Sequence, residues 1–264
     1  MKKLLNPSAT VPEFYVVIPA RYASTRLPGK PLLDIAGKPM VVWVVERAMA
    51  SGAKQVVVAT DDLRIVDAVS QHGHAAVMTD INHVSGTDRI AEVAAIEGWH
   101  DDAIVVNVQG DEPLIDAQLI VEVAKALSIN QEAVMATACH AIHDKSDFIN
   151  PNIVKVVLDV NGNAMYFSRA PIPYPRDTFT QTELLSEGIP AYRHVGIYAY
   201  RARFLKQYAN LPPAEVEQYE CLEQLRVLYQ GYKIAVTVSE SAPAAGVDTE
   251  ADLARVRELM VKFN

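Results

Sequence analysis

The apolar runs in the first half of the chain are short and show no polar alternation. They fall at residues 14–18, 55–60, 75–78 and 103–109. Between them the apolar positions recur at helical spacing. Met40, Val41, Val44, Val45 and Ala48 form one stripe, and Ile65, Val66 and Val69 a second. Ile90, Val93 and Ala94 mark a third, and Leu119, Ile120, Val123 and Leu127 a fourth. Pro39 suits a first helical turn, Asp61 and Asp62 are N-cap candidates, and Gly73 follows the second stripe. Strands apolar on both faces, separated by amphipathic helices, predict a largely parallel sheet covered by helices on both sides.

The second half is less regular. "NIVKVVLDVNGNAMYFSR" predicts two strands joined at Asn161 and Gly162, a strong hairpin signal. Residues 171–190, rich in Pro, Thr and Glu, predict a loop or flap. "HVGIYAYR" and "YKIAVTVS" predict strands, and "EVEQYECLEQLRVLYQG" one helix. On that helix Leu222, Leu225 and Tyr229 would form a core stripe, with Glu220 and Gln224 together on the other side. "TEADLARVREL" closes the chain as a helix capped by Thr249, with Asp252 in its first turn. No repeat or linker interrupts the pattern. We expect a tail at 1–12 and one α/β domain at 13–264, divided into a nucleotide-type half (13–130) and a divergent half (131–264).

Composition narrows the class. Half of the 264 residues are hydrophobic and 21% are charged, with a net charge of −8. A pI near 5.4 argues against non-specific nucleic-acid binding, which needs a basic face. No apolar run approaches a bilayer span, and the apolar part of "MKKLLNPSAT" stops at Leu5, too early for a signal peptide. Cys139 and Cys221 are too few for a disulfide framework. A cytoplasmic location, away from membranes and nucleic acid, is the expectation.

Against that acidic background, Arg21, Arg26 and Lys30 follow the first strand with no acid among them. In open α/β sheets ligands bind beyond the carboxyl ends of the strands. The ends predicted here are Pro19, Ala20 and Arg21; Thr60, Asp61 and Asp62; and Gln109, Gly110 and Asp111. Cations and a carboxylate on one rim point to an anionic ligand. A carboxylate repels a polyphosphate unless a divalent cation separates them, and Mg²⁺ is held by one or two carboxylates plus phosphates. A solvated loop and an internal ion pair are the plain structural alternatives. The P-loop is absent, since Gly29 and Lys30 are followed by Pro31, and there is no G-x-G-x-x-G. In "CHAIHD" Cys139 and His143 share a strand face while His140 points away, so a core strand is expected rather than a metal site. Cys221 has no evident base beside it.

"IPARYASTRLPGKPL", "HVSGTDR", "VNVQGDEP", "NPNIVKVVLD", "YFSRAPIP", "RHVGIYAYR", "LEQLRVL" and "GVDTEADL" occur in this order. Together they resemble the 3-deoxy-D-manno-octulosonate (Kdo) cytidylyltransferases, the CMP-Kdo synthetases, over about residues 13–260. The resemblance implies a Rossmann-like nucleotidyltransferase fold, usually dimeric, and the reaction CTP + Kdo → CMP-Kdo + pyrophosphate with Mg²⁺. It also implies a place in lipopolysaccharide synthesis in Gram-negative bacteria. By the same resemblance Arg21, Ser24 and Lys30 would hold the triphosphate with Arg26 nearby. Ala20, Ser85 and Gly86 would help to form the cytosine pocket, and Asp111 and Asp248 would bind magnesium. Gln109, Arg169, His194, Tyr198, Glu220 and Gln224 would contact the sugar acid. Asp88 stands where relatives often carry Glu. Within "HVGIYAY", His194, Tyr198 and Tyr200 alternate onto one strand face and Val195, Ile197 and Ala199 onto the other, which suits a cleft wall. The rival readings are an 8-amino-Kdo or sialic acid cytidylyltransferase, and a catalytically silent nucleotide-binding module.

Overall fold

The computed structural model describes residues 10–23, 27–83, 85–179, 185 and 188–261. The sheet begins with β1 (Phe14–Ala20). A 3₁₀ turn (Lys30–Leu32) and a small ribbon, β2 (Asp34–Ile35) with β3 (Lys38–Pro39), lead into α1 (Met40–Ala50). Then follow β4 (Gln55–Thr60), α2 (Leu63–Gln71), β5 (Ala75–Met78), α3 (Gly86–Ile96), β6 (Ile104–Asn107) and α4 (Ala117–Ile129). The second half holds β7 (Ala133–Ala141), α5 (Lys145–Ile149), β8 (Lys155–Leu158), β9 (Ala164–Ser168) and β10 (Tyr192–Arg201). It ends with α6 (Ala202–Tyr208), α7 (Glu215–Glu220), α8 (Gln224–Tyr229), β11 (Lys233–Ser239) and α9 (Glu250–Val261).

Seven strands run in the order β11-β7-β10-β6-β1-β4-β5, and the β8–β9 hairpin attaches through β8 to β10. β1 is parallel to β4 and β6, and β11 is parallel to β7. β10 runs against both β6 and β7. The sheet is therefore largely parallel, with one reversed strand placed between its two halves. Its faces are covered as the unbroken apolar runs require. Of the expected stripes, Val41, Val44, Val45 and Ala48 of α1, Ile65 and Val69 of α2 and all four of α4 pack with Val16, Ile18 and Val106 on one side, while Met40 packs with Leu27 and Val256 and Val66 is half-buried. Val93 of α3, Phe204 of α6 and Leu225 of α8 pack with Val17, Val57 and Val105 on the other. Among the described residues no helix is long and apolar enough to cross a membrane.

Local chemistry explains the boundaries. Asp62 caps α2 by accepting from the Arg64 amide. Asp61 does not cap; its carboxylate meets the fully buried Arg89 at 2.7 Å. Pro39 sits at the N-cap of α1, one residue earlier than expected. Thr249 and Asp252 cap each other at the start of α9. The Asn161–Gly162 signal does join β8 and β9, through a turn in which Asp159 accepts from the amides of Asn161 and Asn163.

The single helix expected over 215–230 is instead two short ones. Cys221 takes a left-handed conformation (φ 51°), and its amide closes the end of α7 on the Glu217 carbonyl. Leu222 and Leu225 remain in the core, and across the break Arg226 of α8 donates to the Glu217 carboxylate of α7 at 2.8 and 2.6 Å. The break leaves Tyr229 64% exposed, outside the expected stripe. It also removes the shared helix face expected for Glu220 and Gln224. Of the expected 171–190 loop, residues 180–184 and 186–187 lie outside the described residues, as does the 1–9 part of the tail. The described part 171–179 contains no helix or strand, and its Phe179 packs on Phe148.

Candidate functional site

The carboxyl ends of β1 and β6 lie side by side, because Val17 pairs with Asn107 and the Val108 amide donates to the Val17 carbonyl. The loop after β6 then crosses the end of β1 so closely that a Cβ on Gly110 would lie 2.8 Å from the Pro19 carbonyl oxygen. Only glycine admits that approach. The same loop receives the C-terminal segment. A Cβ on Gly246 would lie 3.1 Å from the Asp111 carbonyl oxygen, and the Val247 amide donates to that carbonyl at 2.9 Å. These backbone contacts put Asp248 beside Asp111.

Lys30, on the 3₁₀ turn, completes the group. Its Nζ donates to Asp111 Oδ2 at 2.6 Å and to Asp248 Oδ1 at 3.0 Å. Two carboxylates that converge on one compact cation supply oxygen donors of the kind that hold Mg²⁺, which takes its remaining ligands from water and phosphate. The donor set fits such an ion. Beside them, burial and the Asp111 charge raise the Glu112 carboxyl to about 7.

Arg21 is exposed at the rim, where it donates to the His83 carbonyl. Ala20 is buried at the end of β1. Ser24 and Arg26 lie outside the described residues. Ser85 caps α3: its Oγ accepts from the Asp88 amide and donates to the Asp88 carboxylate. Asp88 therefore closes a capping box, the task that Glu performs at this position in the usual pattern. Gly86 opens α3 and faces the adjoining cleft.

That cleft, of about 500 Å³, is lined by Gln109, His194, Tyr198 and Gln224 among the expected sugar contacts, with Asn107 and Glu112 beside them. His194 stands edge-on to Phe167, with ring centres 4.9 Å apart, and 5.4 Å from Tyr198. Its Nε2 is 3.0 Å from Thr137 Oγ1, which also donates to a β10 carbonyl at 2.7 Å. Burial pushes the ring down to about 3, and it pushes the Tyr198 phenol up. Both stay neutral near pH 7 and act as hydrogen-bonding groups.

Arg169 and Glu220 are placed differently. The Glu220 carboxylate accepts from Ser168 Oγ at 2.6 Å and from the Arg169 amide at 2.9 Å. The Arg169 guanidinium donates to the carbonyls of Glu220 and Pro151. The two residues lock the end of β9 to the end of α7, and neither belongs to the cleft lining. The fully buried Lys155 supports the lock, donating to the carbonyls of Asn150, Ile153 and Arg169. Burial lowers its pKa. Cys139 is a core residue whose thiol is pushed up to about 12.

Asn107 and Glu112 line the cleft although no motif singles them out. Asn107 did carry a signal, as a lone amide in the apolar run "AIVVNV". Glu112 carried none beyond its neighbour Asp111.

A family model described as cytidylyltransferase matches residues 15–234. A solved structure of CMP:2-keto-3-deoxy-manno-octonic acid synthetase complexed with CTP is 44% identical, with a TM-score of 0.86; the match covers 96% of this chain and 100% of that one. A cytidylyltransferase from Leptospira borgpetersenii serovar Hardjo-bovis (strain JB197) is 17% identical over 95% of each chain with a TM-score of 0.59, a likeness of fold.

Proposed function

Because the chain belongs to the cytidylyltransferase family, we propose that it activates Kdo, the 2-keto-3-deoxy-manno-octonic acid, by the reaction CTP + Kdo → CMP-Kdo + pyrophosphate. The full-length likeness to the CTP-bound synthetase, 44% identical over 96% of this chain, carries the proposal. The cleft supports it, because its wall of neutral hydrogen-bonding groups includes Gln109 and Glu112, on the same loop that brings Asp111 to Lys30, so a polyol site adjoins a site for a metal-bound triphosphate.

The anomeric 2-hydroxyl of the acid attacks the α-phosphorus in line and expels pyrophosphate. Such a site works chiefly through positioning and charge stabilisation. Arg21 and Lys30 stabilise charge on the departing phosphates. Asp111 and Asp248 would hold Mg²⁺, which when bound neutralises the triphosphate and acidifies the attacking hydroxyl. Gln109, His194, Tyr198 and Gln224 orient the acid. His194 does so as a neutral donor–acceptor, since protonating it costs burial of the charge. Arg169 and Glu220 shape the wall through their mutual lock. The product is an activated sugar for lipopolysaccharide, made by a cytoplasmic, homodimeric enzyme of a Gram-negative bacterium.

The test is pyrophosphate release from CTP and Mg²⁺ with Kdo, 8-amino-Kdo and sialic acid offered in parallel. Release with Kdo above the others is expected. Preference for another acid would replace the acceptor, and no release from a folded protein that binds CTP would overturn the catalytic reading.

A further inference from the structure

Among the described residues three buried side-chain polar atoms have no hydrogen-bond partner: Arg89 Nε, Asn107 Oδ1 and Gln224 Nε2. Two of the three residues, Asn107 and Gln224, line the same cleft. These side chains are 3% and 4% exposed. A buried polar group without a partner is costly, and native proteins rarely keep one without a reason. Two on one wall indicate a ligand that supplies both partners.

Asn107 stands two residues after Val105 on β6, so its side chain lies on the α3 side of the sheet, as does Tyr200, which is 3% exposed. In register, Asn107 faces Tyr198 across the β6–β10 pair, which sets it beside the wall formed by His194 and Tyr198 rather than by Arg21. Gln224 opens α8, just beyond the break at Cys221, and turns inward because Leu222 and Leu225 anchor the segment on either side.

We propose that Asn107 is a further substrate-positioning and specificity residue, its Oδ1 accepting a hydrogen bond from one hydroxyl of the sugar acid while Gln224 Nε2 donates to an oxygen of the same ligand. The inference rests on the cytidylyltransferase reading and names a contact within that site. The chemistry selects the ligand part. A carbonyl-type acceptor repels phosphate and carboxylate oxygens and accepts only from O–H or N–H. A polyol hydroxyl both donates and accepts, so it can satisfy an orphan acceptor and an orphan donor together. A site built to hydrogen-bond a hydroxyl rejects the analogue that lacks it far more strongly than an apolar pocket rejects a methylene.

The test is a cycle between protein and substrate. kcat/KM is measured for Kdo and for its single-deoxy derivatives, with the wild-type protein, Asn107→Ala and Gln224→Met. With wild type, one deoxy acid is expected to fall about 10-fold or more below Kdo. Asn107→Ala should lose about as much on Kdo and almost nothing further on that deoxy acid, while KM for CTP stays within about twofold. Gln224→Met should show its own non-additivity on the same or a neighbouring oxygen. Equal losses on every acid, together with a raised KM for CTP, would overturn the contact and leave Asn107 a structural residue of the wall. A changed preference between CTP and UTP with additive sugar effects would also overturn it, since the amide would then read the base. The wild-type arm needs no variant to fold: equal rates with every deoxy acid would end the proposal while the cytidylyltransferase reading stands. Silence with all acids, Kdo included, would remove both.

Discussion

Burial pushes the His194 ring from an ordinary 6.5 down to about 3, so the folded protein keeps the ring neutral while an unfolded chain protonates it below about 6.5. Between those values the unfolded state binds the extra proton. This contribution to stability is therefore whole above about pH 6.5 and declines as pH falls toward 3. At pH 4.5 the loss is about 2–3 kcal/mol from this one ring. Urea titrations at pH 7.5 and 4.5 should show that decline in the wild-type protein and a smaller one in His194→Gln; identical declines would mean that the ring is hydrated. Lys30 is the other residue whose surroundings set its use. Lys30→Met removes an ammonium that would bind phosphate, and a lost charge-assisted contact is worth roughly 1.5–3 kcal/mol, so kcat/KM should fall about 10- to 150-fold. The same change leaves the Asp111 and Asp248 carboxylates facing each other without the cation that now sits 2.6 and 3.0 Å from them. Nucleotide-free Lys30→Met should then bind Mn²⁺ more tightly than wild type in a calorimetric titration. Weaker binding would show that ammonium and metal do not share those oxygens.

Elements here are set by residues that allow two chain segments to approach. The loop after β6 lies against the end of β1 only because position 110 lacks a Cβ, which would stand 2.8 Å from a backbone oxygen. Backbone cannot yield as a flexible side chain would, so Gly110→Ala should cost about 1–3 kcal/mol and lower turnover by moving Asp111. Thermal melts with and without CTP check both parts, and an unchanged Tm with full activity would mean that the loop shifts freely. The sequence showed the strands and helices of this region well, because apolar runs and stripes are local patterns. It did not show the break at Cys221. The residues from Glu215 to Tyr229 keep a helical spacing throughout, and the left-handed Cys221 goes with a tertiary pairing, Arg226 with Glu217, that spacing does not reveal. Nor did it show that Asp61 serves Arg89 rather than a helix end. That pair joins the end of β4 to α3 with the guanidinium wholly buried. Removing one partner of a buried pair costs about 3–5 kcal/mol, so Asp61→Ala should lower the urea midpoint far more than Asp62→Ala, which removes a cap worth about 1 kcal/mol.

At the scale of the whole molecule, Lys30, Asp111 and Asp248 converge from three distant parts of the chain, and the last of them is delivered by the closing segment. α9 holds that segment in place. Its Leu253 and Val256 are buried with Leu27, Ile35 and Met40, and Arg257 Nε donates to the Asp34 carbonyl at 2.8 Å. The rim of cations and carboxylates was legible in outline, because strand ends in such sheets share an edge. The lock between Arg169 and Glu220 was not, since it depends on the β8–β9 hairpin, on Lys155 beneath it and on the end of α7 meeting at one point. Packing far from the chemistry should therefore govern it. Leu253→Ala opens a cavity in a cluster that contributes no residue to the cleft lining, and such a change costs about 2–5 kcal/mol. If α9 is what seats Asp248, that variant loses turnover at temperatures well below its melt, and the loss grows when Mg²⁺ is limiting. The decisive comparison is Leu127→Ala, an equally buried change in α4 against the other half of the sheet. It should lower stability by a similar amount and leave the Mg²⁺ dependence of the rate as in wild type. Equal Mg²⁺ dependence in the two variants would mean that Asp248 is held by its own backbone bond from Val247 to Asp111 and needs no help from the helix behind it.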